Sequence, residues 1–271
     1  MTDRYAVIGN PVAQSQSPQI HAAFARATGQ DMSYTALLAP LDGFAETLRQ
    51  FKAGGGKGAN VTVPFKQQAY RLSTRTTERA RLAEAVNTLK FDGPEILGDN
   101  TDGAGLIRDL TRNLGCAVAC RQVLLMGAGG AAQGVLGPLL AEAPGALVIA
   151  NRTADKARAL AARFAPLGPV SACAYAELAG SQFDLVINAT SAGLAGEVPP
   201  LPPGLFAAGA LAYDMIYGDR ETAFLGYARQ AGASRFADGL GMLVEQAAEA
   251  FWLWRGITPD TAPLLAALRR C

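Results

Sequence analysis

The chain has 271 residues, half of them hydrophobic and 17% charged, with a formal net charge of +1. That length suffices for two modest domains with a core each, and the near-neutral charge removes any electrostatic case for binding nucleic acid or an anionic membrane surface. No apolar run reaches membrane-spanning length and the N-terminus lacks a basic-then-apolar leader, so a cytoplasmic protein is expected.

In chain order, Tyr5–Ile8 reads as a strand ending in the turn Gly9-Asn10-Pro11. After a polar loop, Ser17 as N-cap and Pro18 in the first turn open a helix running to about Thr28. Ser15 and Ser17 thus sit between a strand end and a helix mouth, where open α/β sheets bind ligands. Tyr34–Leu38 reads as a strand, Leu41–Phe51 as a helix and Ala59–Val63 as a third strand. This alternation predicts a parallel sheet. Pro64 cannot continue a central ladder, so Thr62 and Lys66 fall at the same sheet edge as the two serines. A lysine there can act as general acid or base. A hairpin follows, Thr88–Phe91 with Glu95–Leu97. The run Gly98-Asp99-Asn100-Thr101-Asp102-Gly103 then opens a helix Ala104–Asn113, with Asp102 at its N-terminus. A first domain is expected to end near residue 103.

Val123–Met126 is an apolar strand running into Gly127-Ala128-Gly129-Gly130-Ala131-Ala132. Gly127, Gly129 and Ala132 fit G-x-G-x-x-G/A, the fingerprint of a dinucleotide pyrophosphate seated on a helix N-terminus. A second strand, Ala146–Ala150, ends in Asn151-Arg152-Thr153. The fingerprint expects its ribose-reading residue here. A carboxylate would repel a 2′-phosphate, whereas the Arg152 guanidinium offers it a planar fork, so NADP(H) is expected over NAD. Val170–Ala174, Asp184–Asn188, Ala210–Asp214 and Arg235–Ala237 read as further strands. The small-residue loop 188–194 can admit a cofactor. Leu240–Trp254 and Leu264–Leu268 are helices with no strand to serve, and are expected to return to the first domain.

The four cysteines, Cys116, Cys120, Cys173 and Cys271, fit neither a disulfide framework nor a zinc site. The one histidine, His21, excludes a catalytic metal held by several histidines and confines any histidine general base to that position.

Taken together these motifs resemble the shikimate dehydrogenase family over nearly the whole chain. The resemblance rests on Gly9-Asn10-Pro11 with Ser15-Gln16-Ser17-Pro18, Asn60–Lys66 (NVTVPFK), Ala85–Leu89 (AVNTL), Gly98–Gly103 (GDNTDG) and Gly127–Ala132 (GAGGAA). It continues through Asn151–Thr153, Asn188–Gly193 (NATSAG), Tyr213–Gly218 (YDMIYG) and Gly239–Leu243 with Gln246. One departure is Ala22, where the family often has asparagine after the histidine. The resemblance implies an α/β fold: an N-terminal substrate-binding catalytic domain (1–103), a doubly wound Rossmann-type NADP-binding domain (104–237) and C-terminal helices (238–271) packing on the first. It implies reversible NADPH-dependent reduction of 3-dehydroshikimate to shikimate in aromatic amino acid biosynthesis, by a monomer or homodimer. Substrate contacts carry over to Ser15, Ser17, Thr62, Lys66, Asn87, Asp102, Tyr217 and Gln246, with Lys66 and Asp102 as the catalytic pair. Cofactor contacts carry over to Gly127, Ala128, Gly129, Gly130 and Ala131, to Asn151, Arg152, Thr153 and Lys156, and to Met215, Gly239 and Glu78. Two competing readings are a quinate/shikimate dehydrogenase using NAD(P), which Arg152 and the serine pair oppose, and a non-catalytic NADP-binding regulatory module, which Lys66 and Asp102 oppose.

Overall fold

The computed structural model describes residues 2–270, apart from the side chains of residues 194 and 195. The chain divides into two compact units: one comprises the residues up to Gly105 with those from Leu243 onward, the other is Leu106–Met242.

The first unit carries β1 (Asp3–Gly9), α1 (Ser17–Thr28), β2 (Met32–Leu38), α2 (Phe44–Ala53), β3 (Gly56–Val61), α3 (Lys66–Leu72), β4 (Arg75–Thr76), α4 (Glu78–Ala83), β5 (Thr88–Asp92) and β6 (Glu95–Asp99). Its sheet runs β2-β1-β3-β5-β6-β4. β1 pairs in parallel with β2 and β3, but β5 runs antiparallel to both β3 and β6. The three strands of the alternating stretch are parallel as expected, and the expected hairpin β5–β6, joining antiparallel to β3, makes the whole sheet mixed. The short elements α3, β4 and α4 return the chain to the end of the sheet where β3 finishes. β5 accordingly starts there, with Thr88 opposite Asn60, and β6 then brings residues 99–102 back to the same end. The core beneath holds Ala6, Ile8, Phe44, Leu48, Phe65 and Leu89, all at most 2% exposed, with Phe44 stacked on Phe65 at 4.8 Å.

Three local expectations need correction. Ser17 is the first helical residue of α1, not its cap, and the preceding Gln16 makes no side-chain cap bond. Instead the Ser17 amide donates to Ser15 Oγ at 3.3 Å. α2 begins at Phe44 because residues 40–43 close a turn, with the Gly43 amide on the Pro40 carbonyl. β3 stops at Val61, two residues short of the expected Val63.

The second unit carries β7 (Gln122–Met126), α6 (Gly130–Ala141), β8 (Ala146–Ala150), α7 (Ala154–Phe164), β9 (Val170–Cys173), β10 (Phe183–Asn188), β11 (Phe206–Asp214), α8 (Ala223–Gln230) and β12 (Arg235–Ala237). Every strand pair in the order β12-β11-β10-β7-β8-β9 is parallel. β11 starts four residues before the expected Ala210, because a register shift against β10 and a positive φ at Gly209 break the apolar pattern there.

The helix α5 (Asp102–Arg108) continues through a π turn at Asp109–Asn113. α9 (Leu240–Arg255) and α10 (Ala262–Leu268) end the described chain. In the first unit, Trp254 on α9 donates to the Leu89 carbonyl at 2.9 Å. No helix among the described residues is long and apolar enough to cross a membrane. Cys116, Cys120 and Cys173 are free thiols, and Cys271 lies outside the described residues.

Candidate active site

The first unit gathers its polar side chains where β3 ends. The Thr62 amide donates to the Ile8 carbonyl at 3.0 Å, and the Phe65 amide closes a turn onto Thr62 at 3.0 Å. That turn makes Lys66 the first residue of α3. Its carbonyl accepts from the Val86 amide at 2.9 Å, tying the start of α3 to the segment that enters β5. Two further backbone bonds hold Asn87: its carbonyl accepts from Val61 at 2.8 Å, and its amide donates to Asp99 at 3.0 Å.

Within this frame Lys66 Nζ donates to Asp102 Oδ2 at 2.5 Å, with side-chain exposures of 19% and 8%. The other carboxylate oxygen, Oδ1, accepts from Asn87 Nδ2 at 2.8 Å. Asp102 stands in the first turn of α5, so its carboxylate meets the positive end of the helix dipole. Its amide donates to Asn100 Oδ1 at 3.2 Å, and Asn100 is itself held by the Ala85 carbonyl. From α9, Gln246 brings Oε1 to within 3.3 Å of Asn87 Nδ2 and 3.2 Å of Thr101 Oγ1. Lys66, Asn87, Asp102 and Gln246 thus form one connected group. A partly exposed ammonium held on a shielded carboxylate can deliver a proton to an oxygen placed beside it.

Ser17 is buried and Ser15 and Thr62 are half-buried. Burial pushes the Tyr34 phenol well above its ordinary pKa, with the nearby Ser17 side chain pulling the other way. Tyr34 therefore stays a donor, to Asn60 Oδ1 at 2.7 Å. His21 is completely buried and stacks on Tyr34 at 4.2 Å. Among the described residues neither ring nitrogen has a partner in hydrogen-bond geometry. Burial holds its pKa down at about 3, with the adjacent Asn60 side chain pulling weakly upward. The one histidine is thus a neutral packing residue and not a general base.

This sets a pH dependence of stability. The unfolded chain takes up a proton at His21 near its ordinary value of 6.5, while the folded chain does so only at about 3. Stability from this group is complete above 6.5 and is lost as pH falls toward 3. At pH 5 the loss is about 2 kcal/mol. Chemical denaturation of wild type and His21→Phe at pH 7.5 and pH 5 should show the variant losing about 2 kcal/mol less; equal losses would contradict the assignment.

In the second unit the turn after β7 is a cradle. Gly127 has φ +106, and a Cβ there would press on the Ala189 carbonyl oxygen at 3.1 Å, so only glycine fits. A Cβ on Gly129 or Gly130 would meet nothing within 4 Å, which leaves this backbone open at the start of α6, a helix of twelve residues. Ala128 and Ala131 are half-buried beside it, and Ala132 packs into the core. An open glycine backbone at a helix N-terminus suits a pyrophosphate. At the end of β8, Arg152, Thr153 and Lys156 are exposed, and the Asn151 side chain holds the Thr153 carbonyl at 2.9 Å. The first carboxylate after the strand end, Asp155, is engaged by Arg158 at 3.2 Å, and the exposed cations of this corner suit a 2′-phosphate. Met215 follows β11 and its amide bonds the Asn188 carbonyl at 3.0 Å; Gly239 packs so closely on Met215 that a Cβ would lie 2.3 Å from its carbonyl oxygen. Tyr217 is half-buried on the same segment. Glu78 is an exposed residue at the start of α4 in the first unit, 3.9 Å from Arg81, and joins neither group.

Several polar residues of the first group are absent from the expectations: Tyr34, Asn60, Thr88, Asn100 and Thr101. Asn60 and Thr88 meet only because β5 is antiparallel to β3, a pairing the alternation does not reveal. Thr101 had a signal, since it directly precedes Asp102.

Three family models match the chain: shikimate dehydrogenase substrate binding domain over residues 7–89, shikimate/quinate 5-dehydrogenase over 109–195, and shikimate 5′-dehydrogenase C-terminal domain over 239–269. A shikimate dehydrogenase (NADP(+)) of Dechloromonas aromatica is 64% identical over 269 residues, covering 99% of this chain and 98% of that protein. One from Nitrosospira multiformis is also 64% identical, with the same coverage. Among solved structures, shikimate 5-dehydrogenase from Thermus thermophilus in complex with NADP(H) and shikimate matches with a TM-score of 0.88 at 33% identity, over 99% of each chain.

Proposed function

The chain belongs to the shikimate dehydrogenase family, and on that premise we propose how its residues carry the activity. It is an NADP-dependent shikimate dehydrogenase, reducing 3-dehydroshikimate to shikimate and running the reverse oxidation. The observation that carries the chemistry is the Lys66–Asp102 contact at 2.5 Å, backed by Asn87.

NADPH, when bound, supplies the hydride that the ketone carbon accepts. The open glycine turn 127–131 would hold its pyrophosphate, and Arg152, Thr153 and Lys156 its 2′-phosphate. Lys66, as the ammonium, hydrogen-bonds the substrate oxygen, offsets the negative charge that grows there and gives up one proton to it. The resulting amine is reprotonated from water. In the oxidative direction Lys66 accepts that proton. Asp102 holds the ammonium in place and can accept from a neighbouring substrate hydroxyl, while Asn87, Gln246 and Thr62 read the others. Ser15, Ser17 and Tyr217 donate to the carboxylate. Orientation of the ring against a fixed proton donor is the main contribution of these contacts.

The serine pair gives a specificity test. Shikimate bears its carboxylate on an unsaturated carbon without a hydroxyl, whereas quinate adds a hydroxyl on that carbon. Ser17 is buried, which leaves little room or pairing for an extra hydroxyl. An unpaired buried polar group costs about 1–3 kcal/mol, so kcat/KM should favour shikimate by about tenfold to a hundredfold. Ser17→Ala should raise KM for shikimate about tenfold, the loss of one bond to a charged group. Steady-state kinetics with both acids decides it, and an unaltered KM would remove Ser17 from the carboxylate site.

A further inference from the structure

The polar group at the end of β3 extends past the residues assigned above, as a chain of hydrogen bonds oriented by the amides of Asn60 and Asn87. Asn60 is oriented at both ends. Its Nδ2 faces the Asn87 carbonyl at 3.2 Å, an atom that can only accept, and its Oδ1 takes the Tyr34 hydroxyl at 2.7 Å. The same Nδ2 donates to Thr88 Oγ1 at 3.0 Å. Thr88 Oγ1, having accepted there, has its own proton facing Asn87 Oδ1 at 2.9 Å, with the Thr101 hydroxyl farther off at 3.2 Å. The Thr101 amide, which can only donate, meets Asn87 Oδ1 at 2.8 Å, so that atom must be the oxygen. Asn87 Nδ2 is thereby aimed at Asp102 Oδ1, and the opposite carboxylate oxygen holds Lys66.

We infer that Thr88 is a positioning residue for the Lys66–Asp102 pair, the central link of an oriented chain running from Tyr34 through Asn60, Thr88 and Asn87 to the carboxylate. Thr88 and Thr101 are completely buried, while Asn60 and Asn87 are 6% and 3% exposed. Water cannot substitute cheaply for a missing link in such a network. Thr88 itself reaches neither Lys66 nor Asp102. Its hydroxyl satisfies one Asn60 N–H and adds a donor to those that fix the Asn87 amide. Without it the Asn87 oxygen keeps only the Thr101 amide and hydroxyl, and the looser amide lets the carboxylate drift from the position that sets the lysine. This inference rests on the proposed roles of Lys66 and Asp102.

The test compares Thr88→Val, which keeps the shape and removes the hydroxyl, with Thr88→Ser, which keeps the hydroxyl. Thr88→Ala repeats the deletion without a γ-branch should valine misfit. Thr88→Val should lower kcat for shikimate oxidation about tenfold, the scale of one internal hydrogen bond, with KM for shikimate and for NADP changed less than about twofold. Thr88→Ser should restore kcat to within about twofold of wild type, because the donor is restored. A loss confined to kcat and rescued by a hydroxyl is not what a packing defect produces. Wild-type kcat in the valine and alanine variants would overturn the inference, as would a serine variant no better than valine or a loss expressed in KM. Lys66→Ala is assayed alongside: near-normal turnover there overturns the catalytic reading itself, whereas inactive Lys66→Ala with fully active Thr88→Val overturns the positioning role alone.

Discussion

Lys66→Ala should lower kcat for shikimate oxidation by about 10²–10⁴-fold, the range for loss of a positioned general acid–base group. The fold should survive, because the Lys66 side chain is 19% exposed and leaves no core cavity. The substitution does strand a carboxylate that is only 8% exposed, and leaving one partner of a shielded pair is costly. Asn87 continues to donate to it, so the expected cost is about 1–3 kcal/mol, and Tm falls accordingly, by about 2–4 °C per kcal/mol in a chain of this size. Adding Asp102→Asn neutralises the stranded group. The double variant should recover much of the Tm and none of the turnover. Turnover and melting measured together separate the two effects, and a single variant with near-normal kcat would remove Lys66 from the chemistry.

Arg152→Asp should reverse the cofactor preference. Arg152 is exposed at the end of β8 beside Thr153 and Lys156. A charge-assisted bond to the 2′-phosphate is replaced by repulsion, which together amount to about 3–4 kcal/mol, or 10²–10³-fold in kcat/KM with NADP. Use of NAD, which has no 2′-phosphate, should change by less than about threefold, because exposed substitutions rarely disturb the fold. Steady-state kinetics with both cofactors reads the ratio directly. An unchanged preference would move the phosphate contact to Thr153 or Lys156.

The residues legible in the sequence are those whose local pattern is itself the function. The glycine turn 127–130 is one: φ +106 at Gly127 and the open backbone at Gly129 follow from glycine alone. Arg152 is another, since the strand end at Ala150 marks its place. Lys66 and Asp102 are legible as members of motifs, but the contact between them depends on where the hairpin β5–β6 runs. The hairpin itself is legible, but its antiparallel place beside β3 is not. Asn60 and Thr88 are illegible for the same reason: they are partners across an antiparallel register. A sequence does not show burial, so His21 stands open there as a general base; packed under Tyr34 with its pKa held down at about 3, it is a neutral core residue. Ser17 reads as a helix cap from its residue type, yet it is the first helical residue, and its amide is held by Ser15 Oγ.

The most direct measurement of the central claim is kcat/KM of the purified wild-type chain in four combinations: shikimate and quinate, each with NADP and with NAD. The account predicts that shikimate with NADP exceeds each of the other three by about tenfold or more, since each alternative loses or mispairs at least one charged or buried polar contact. Equal use of quinate and shikimate, or no preference for NADP over NAD, would contradict it.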